Sequence, residues 1–441
     1  MKITTAFFGL AALANAIPWD DTFYPNQEPG YDNSEAGSEL LSDLSVISEH
    51  WGQISPYTDN DDRYFGVKDI GLPDGCGIEQ VHILHRHAQR FPTSSYDDGL
   101  NNENFGTKVL NWTSTNPSKQ FTGPLVFLNT YKYQMGESFL TGIGAVTEFQ
   151  SGVTHWNRYG RTLYNATVGQ LAYNASFSNG TARPKPVLRT TSQSRIWNSQ
   201  INWALGFFGP SFVTTPSPTI ANASSPFNVV IIPEGGTENN TLASYDSCAN
   251  DNNEPIVDIG DQDLEKYLTV YLKDATARMQ QYAPAGFVFN VNDTYAMQSI
   301  CAYETGYLGT SDFCNLFTAN EWAGFENTLD MEYYYDYGYG NPTGRAQGIG
   351  YLQELIARLT NQFITSSNTS VNYTITNNAD DFPLGRPFYA DFTHDDIIIS
   401  LLTAMSFDYF KDPPSLTQVR SSLKMSAISC LFTTTVSSRS K

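Results

Sequence analysis

Cations are scarce in this chain. Lysine and arginine together number 25 against 45 aspartates and glutamates, leaving a formal charge of -20 over 441 residues. Surplus negative charge repels phosphodiester backbones, so nucleic acid is excluded as a partner, and any anionic ligand must be held by a local knot of positive charge. Cysteine is scarce too, and its count of five is odd. A dense disulfide scaffold is thereby excluded, and at least one thiol is left over. No apolar stretch reaches the ~18 unbroken residues that a spanning helix requires, so no membrane partner is expected. HExxH, GxSxG and a phosphate loop ending in Gly-Lys-Ser/Thr are all missing, which removes support for zincin, α/β-hydrolase and NTPase chemistry.

What is present begins with an address. "MKITTAFFGLAALANA" sets Lys2 ahead of an apolar run from Ala6 to Leu13 and small residues at Ala14, Asn15 and Ala16. That is the three-part pattern of a cleaved secretory signal, so residues 1–16 are expected to be removed and the protein to be extracellular. Nine Asn-x-Ser/Thr sequons, at Asn111, Asn165, Asn174, Asn179, Asn222, Asn239, Asn292, Asn368 and Asn372, fit an exported glycoprotein. In an oxidising compartment Cys301 and Cys314, which close a short loop, are the expected disulfide.

Residues 17–70 read as an irregular arm with one short helix near "SELLSDLSVISEHWG". "IEQVHILHRH" reads as a buried strand that Pro92 must end, because proline has no amide to donate. "PKPVLRTT" is a second strand running into the helix "SQSRIWNSQINWALGFFG", and "FNVVIIPEG" is a third. "RPFYADFTHDDIIISLLTAM" repeats the order of strand, turn and helix. This alternation predicts an α/β domain over 71–239 and 345–441, interrupted by a mostly α-helical domain at 240–344. Ligands of such sheets bind at the carboxyl ends of the strands, where His87, Arg189 and His394 are expected.

The chemistry concentrates in "HRHAQRFPT". An imidazole held neutral at His87 is a nucleophile toward phosphorus, and guanidiniums at Arg86 and Arg90 can grip a phosphoryl group bidentately. Neighbouring cations also lower the pKa of a histidine, which suits work in acid. Thr393-His394-Asp395 opens a helix whose free amides attract the same anion. His394 can donate to a phosphate oxygen, and Asp395, raised by a nearby anionic substrate, can protonate the leaving alcohol. Arg189 is expected as a third clamp. A metal site built on His82, His85 and His87 is the rival reading. Strand alternation turns His82 away from the other two, and the arginines repel a cation, so no metal or cofactor is expected.

"RHAQRFPT" resembles the Arg-His-Gly-x-Arg-x-Pro signature of the histidine acid phosphatases, and "THDD" their His-Asp motif, with secreted fungal phytases the nearest likeness. "GPLVFLNTYKY", "VLRTTSQSRIWNS", "GNPTGRAQGIGYLQELIARLT" and "YADFTHDDIIISLL" follow the same order. The resemblance implies a mixed sheet flanked by helices, of phosphoglycerate-mutase type, with an added mostly α-helical domain. It further implies a metal-free, two-step reaction on a phosphate monoester such as inositol hexakisphosphate. His87 would be the nucleophile, Arg86, Arg90, Arg189 and His394 the phosphate ligands, and Asp395 the proton donor.

Three departures stand out. Ala88 replaces the glycine of the motif, at a cost if that glycine needs a positive φ. The places where related phytases carry lysines for distal phosphates read "SSYDDG" and Met331-Glu332, so Lys108, Lys119 or Lys132 would have to compensate. The chain closes on "AISCLFTTTVSSRSK" without the strand and cysteines that follow in the family, as in a truncated gene model, which leaves Cys76, Cys248 and Cys430 without assigned partners. The alternatives to a phytase are therefore a broad acid phosphatase or a non-catalytic glycoprotein that binds anions.

Overall fold

The computed structural model describes residues 39–56, 75–209, 212, 225–236, 238–251, 259–417 and 433–440. The expected leader, most of the expected arm, Asn222 and Cys430 lie outside these residues.

Five strands, β1 (Cys76–Arg86), β2 (Val187–Thr191), β3 (Asn228–Ile232), β4 (Phe388–Thr393) and β5 (Thr433–Ser440), form one sheet in the order β3-β2-β4-β1-β5. β1, β4, β2 and β3 run parallel, and β5 lies antiparallel along β1. The expected α/β class holds, with one correction: the carboxyl-terminal segment does supply a strand. Its run of threonines suits an extended edge, although it has almost no apolar content.

Alternation along β1 sends Val81 and Ile83 to one face and Leu84 to the other. On the first face they meet Phe388, Phe392 and helix α3 (Ser194–Phe208) through Trp203 and Phe207. Helix α2 (Gly142–His155) lies against α3. On the second face Leu84 meets Tyr351 of α8 (Gly344–Thr360) and Ile398 of α9 (Asp395–Ala404). Both faces are covered, which is why these strands read as near-continuous apolar runs.

A second core belongs to α4 (Ile259–Tyr271), α5 (Lys273–Gln280), α6 (Val291–Leu308) and α7 (Ala319–Glu332). Capping boxes open two of these helices: Asn290 and Asp293 exchange hydrogen bonds at α6, and Thr318 and Glu321 do so at α7. The same core takes in Ile47, Trp51 and, from α1 (Asn101–Thr115), Phe105 and Val109. The helical layer thus recruits a segment before β1 and one between β1 and β2, besides residues of the 240–344 stretch. The Cys301–Cys314 disulfide ties α6 to the turn after it.

Candidate active site

Parallel pairing of β1 with β4 sets Arg86 opposite Thr393, and the His87 amide donates to the Thr393 carbonyl at 3.2 Å. Both strands therefore end at one level, and the next residues, His87 and His394, face each other with ring centroids 5.8 Å apart. They open onto a cavity of about 670 Å³ between the sheet's carboxyl end and the helical layer. Arg90, Arg195, Tyr303, Tyr333, Glu234 and Asp395 also line it.

His87 is only 2 % exposed. Its Nδ1–H donates to the Ala88 carbonyl at 2.8 Å, which leaves Nε2 unprotonated in the neutral ring. Burial, then Arg86, Arg195, Arg90 and His394, hold its pKa well below that of a free imidazole. The neutral ring is thus favoured to lower pH than in a free imidazole. Ala88 is not among the described non-glycine residues with positive φ, which are Ser138, Asn165, Asn361 and Ser406. Alanine there carries no left-handed strain, and the expected conformational cost does not arise.

The guanidiniums are fixed from behind. Arg90 Nη1 donates to Asp98 at 2.9 Å and to the Tyr303 hydroxyl at 3.3 Å, and Arg86 Nη1 to the Gln53 carbonyl at 2.6 Å. Arg195 Nη2 lies 3.5 Å from His394 Nδ1. The Nε groups of Arg90 and Arg195 are buried donors with no hydrogen-bond partner among the described residues. Such donors in a cavity call for an anion. His394 Nε2 bonds Glu234 at 3.0 Å, which leaves Nδ1 as the ring nitrogen on the side of Arg195. Burial would push the Glu234 carboxyl up, but hydrogen bonds from His394, Thr191 and Tyr245 and the charge of His394 outweigh it, bringing it to about 2.

Asp395 departs from expectation in its protonation. Burial acts to raise it, yet Arg86 Nε at 2.9 Å, the Tyr333 hydroxyl bonded to Oδ2, Arg90 and His394 together draw it down to about 2. Its half-buried neighbour Asp396 is pushed up to about 6 by burial and by the Asp395 charge, with His394 opposing. The two carboxyls titrate as a pair, with Asp396 the one that favours the proton.

Arg189 is a correction. It sits in the middle of β2, directly opposite Asp391 of β4, and is 0 % exposed. Its Nε donates to Asp391 Oδ1 at 2.8 Å, and Nη2 pairs with Glu354 at 2.7 Å. Arg358 and the Tyr351 hydroxyl complete the network on Asp391. β2 runs on to Thr191, so the residue that reaches the strand's carboxyl end is Arg195, in the first turn of α3. Arg195→Ala is expected to raise the inhibition constant of inorganic phosphate by about tenfold to a hundredfold, the worth of a hydrogen bond to a charged group. Competitive inhibition assays check it.

The rival metal reading finds no geometry. His82 stacks on Tyr389 and bonds Gln80, and His85 lies on Phe392, so the three histidines do not converge. None of the three lysines expected to compensate lines the cavity. Lys108 pairs with Asp293 at 2.5 Å, and Lys119 lies over Trp112. Arg195, Glu234, Tyr303 and Tyr333 escaped sequence reasoning as site residues. Only Arg195, six residues past Arg189 at a strand-to-helix turn, had a signal that could have found it.

Residues 77–433 match the histidine phosphatase superfamily, branch 2. Phytase A of Aspergillus fumigatus is 31% identical over 409 residues, covering 90% of this chain and 80% of that one. Phytase A of Aspergillus oryzae is 29% identical, covering 96% and 83%. Among solved structures the phytase from D. castellii superposes with a TM-score of 0.62 at 21% identity, covering 89% of this chain and 77% of its own. The Bifidobacterium longum multiple inositol polyphosphate phosphatase gives 0.52 at 15% identity, covering 83% of each chain. A buried neutral histidine between fixed guanidiniums, on a sheet shared with these enzymes, fits the match along the chain: the protein belongs to branch 2 of the histidine phosphatase superfamily and is a phosphatase that hydrolyses phosphate esters.

Proposed function

We propose that the protein is a secreted acid phosphomonoesterase that works through a phosphohistidine on His87, with inositol hexakisphosphate as a substrate. One observation supports the mechanism: His87 is held with its proton on Nδ1, which leaves Nε2 unprotonated beside a cavity where the buried Nε donors of Arg90 and Arg195 have no partner among the described residues. Nε2 attacks phosphorus while Arg86, Arg90, Arg195 and His394 bind the equatorial oxygens, and the ester oxygen leaves with a proton. Asp395 is the donor. A phosphate dianion drawn to Arg86 weakens that guanidinium's hold on Asp395 and moves the carboxyl up, toward the protonated form that a donor needs. Asp395 then takes a proton from water, which attacks the phosphohistidine and frees phosphate. Acid-quenched enzyme incubated with labelled substrate is expected to carry acid-labile phosphate on His87. Folded protein that turns over without it would overturn the mechanism.

Inositol hexakisphosphate is supported by the names of the relatives, and the leader and exposed sequons at Asn111, Asn165 and Asn368 support secretion with N-linked glycans. A second reading has its own support. The outer cavity is lined by Asp246, Asp251, Asp261, Glu332 and Asp336 and, among the described residues, by no lysine. Carboxylates on the cavity wall repel the far phosphates of a polyanion, which favours simple monoesters. The ratio of kcat/KM for inositol hexakisphosphate to that for an aryl phosphate decides between them.

The pH profile follows from His87. Because its pKa is lowered, the neutral nucleophile persists as pH falls through the 6.5 of a free imidazole. Hydrolysis of an aryl phosphate is expected to show no loss of kcat/KM between pH 7 and about 5. A steep loss centred near 6.5 would mean that the ring titrates as in water.

A further inference from the structure

The Glu148 carboxyl takes no part in the chemistry above, yet it lies directly behind it. It is 0 % exposed, on α2, where that helix meets α3. The two helices touch at glycines: a Cβ on Gly152 would meet the Trp203 carbonyl oxygen at 2.0 Å, and one on Gly206 the Phe149 carbonyl oxygen at 2.0 Å. This close approach presses Glu148 toward Ser199 of α3 and toward the turn that follows β1. His85 Nε2 lies 3.4 Å from Glu148 Oε2, and the Ala88 amide lies 3.4 Å from Ser199 Oγ. The Ser199 hydroxyl and the Ala88 amide both act electrostatically on the Glu148 carboxyl, although among the described residues neither of its oxygens completes a hydrogen bond of full geometry.

The other side of the same residue holds the catalytic ring, since the Ala88 carbonyl accepts the His87 Nδ1–H. The backbone of Ala88 is therefore gripped from both sides. We infer that Glu148, acting with Ser199, is a positioning residue that fixes the turn at Ala88 from behind and so keeps the His87 proton on Nδ1. If the Ala88 peptide turned away, its carbonyl would leave Nδ1, and the ring could protonate on Nε2 and lose its attacking lone pair. An apolar side chain of similar size would fill this site without the cost of burying a polar group, so packing alone does not account for a carboxyl here.

The proton that Glu148 carries matters to this role. Burial pushes the group up to about 8, with Ser199, the Ala88 amide and Arg86 pulling the other way. In acid it is a neutral carboxylic acid, able both to donate and to accept among its polar neighbours: His85 on β1 with His155 of α2 beside it, Ser199 on α3, and the Ala88 amide. Ionisation above about 8 places a buried negative charge against the turn.

The inference rests on His87 as the attacking group, and its test separates the two. Glu148→Leu, Glu148→Gln and Ser199→Ala are compared by kcat and KM on an aryl phosphate, by inhibition with inorganic phosphate, and by nitrogen-15 spectra of His87 assigned with His87→Ala. Glu148→Leu is expected to lose about tenfold to a hundredfold in kcat, as misplacing a reacting group does. Its phosphate inhibition constant should stay within about threefold, and His87 should move from one tautomer to a mixture. Glu148→Gln, which is neutral and polar, should stay within about threefold of the parent near pH 5. If Glu148→Leu does not fold, Ser199→Ala carries the same readouts. A folded variant with unchanged kcat and tautomer, or Glu148→Gln as damaged as Glu148→Leu, overturns the assignment. Full activity in His87→Ala would instead overturn the phosphohistidine reading, and the tautomer spectrum, which needs no turnover, would still decide this one.

Discussion

His87→Ala is expected to lower kcat by at least about a thousandfold, because in the proposed mechanism the covalent intermediate forms on this ring. The effect should be confined to turnover. Arg90 is held by Asp98 and Tyr303, and Arg86 by Gln53 and Asp395, so no guanidinium depends on the imidazole for its place. Removing a neutral ring should leave the affinity for inorganic phosphate within about threefold. Steady-state rates with an aryl phosphate, inhibition by phosphate and a phosphate-trapping assay together make the test. Retained turnover would point to another nucleophile, and loss of phosphate binding would show that the ring also holds the cradle together.

Asp391→Ala should act on stability, at a cost of about 3 to 5 kcal/mol, the usual penalty for removing one partner of a buried ion pair. Asp391 is 0 % exposed and accepts from Arg189, Arg358 and Tyr351. Without it, two guanidiniums remain in the interior, and among the described residues Glu354 is the one other acid paired with Arg189. The pH dependence has a definite sign. Burial would raise the Asp391 carboxyl, but Arg189 and Arg358 hold it well below the ordinary range. Its contribution is therefore complete above the unfolded value of about 3.9 and fades only as pH falls through the lower folded value. Urea titrations at pH 6 and in strong acid should show a large gap between parent and variant at pH 6 that narrows in acid. Proportionate loss of phosphate affinity in the folded variant would return Arg189 to the site.

The comparison of Arg189 with Arg195 shows where sequence reasoning stopped. β1 and the start of α9 were legible because alternation, Pro92 and a local Arg-His-x-x-Arg cluster all point the same way. In "RTTSQSR" both arginines stand near a strand's end, and only the pairing of β2 with β3 through Thr191 decides which of them lies inside the sheet. Glu234, Tyr303 and Tyr333 reach the cavity singly, from segments with no shared spacing, and a lone tyrosine in a chain with 26 of them carries no signal. The lowered pKa of Asp395 was hidden for a related reason. It depends on Tyr333, contributed by the helical layer, as well as on Arg86. β5 was missed because its sequence lacks the apolar residues that usually betray a strand.

The register of β1 against β4 also fixes when the protein can first become active. His87 directly follows β1, and His394 with Asp395 directly follow β4, so the histidine pair and its acid are completed only once β4 and the start of α9 have left the ribosome. Until β4 slides in between β1 and β2, Arg86 lacks the Asp395 carboxylate and the sheet has no middle. Contacts of such long range are slow to form. A late step therefore brings the enzyme to life, and a chain halted before β4 would hold the motif most diagnostic of the family with none of its activity.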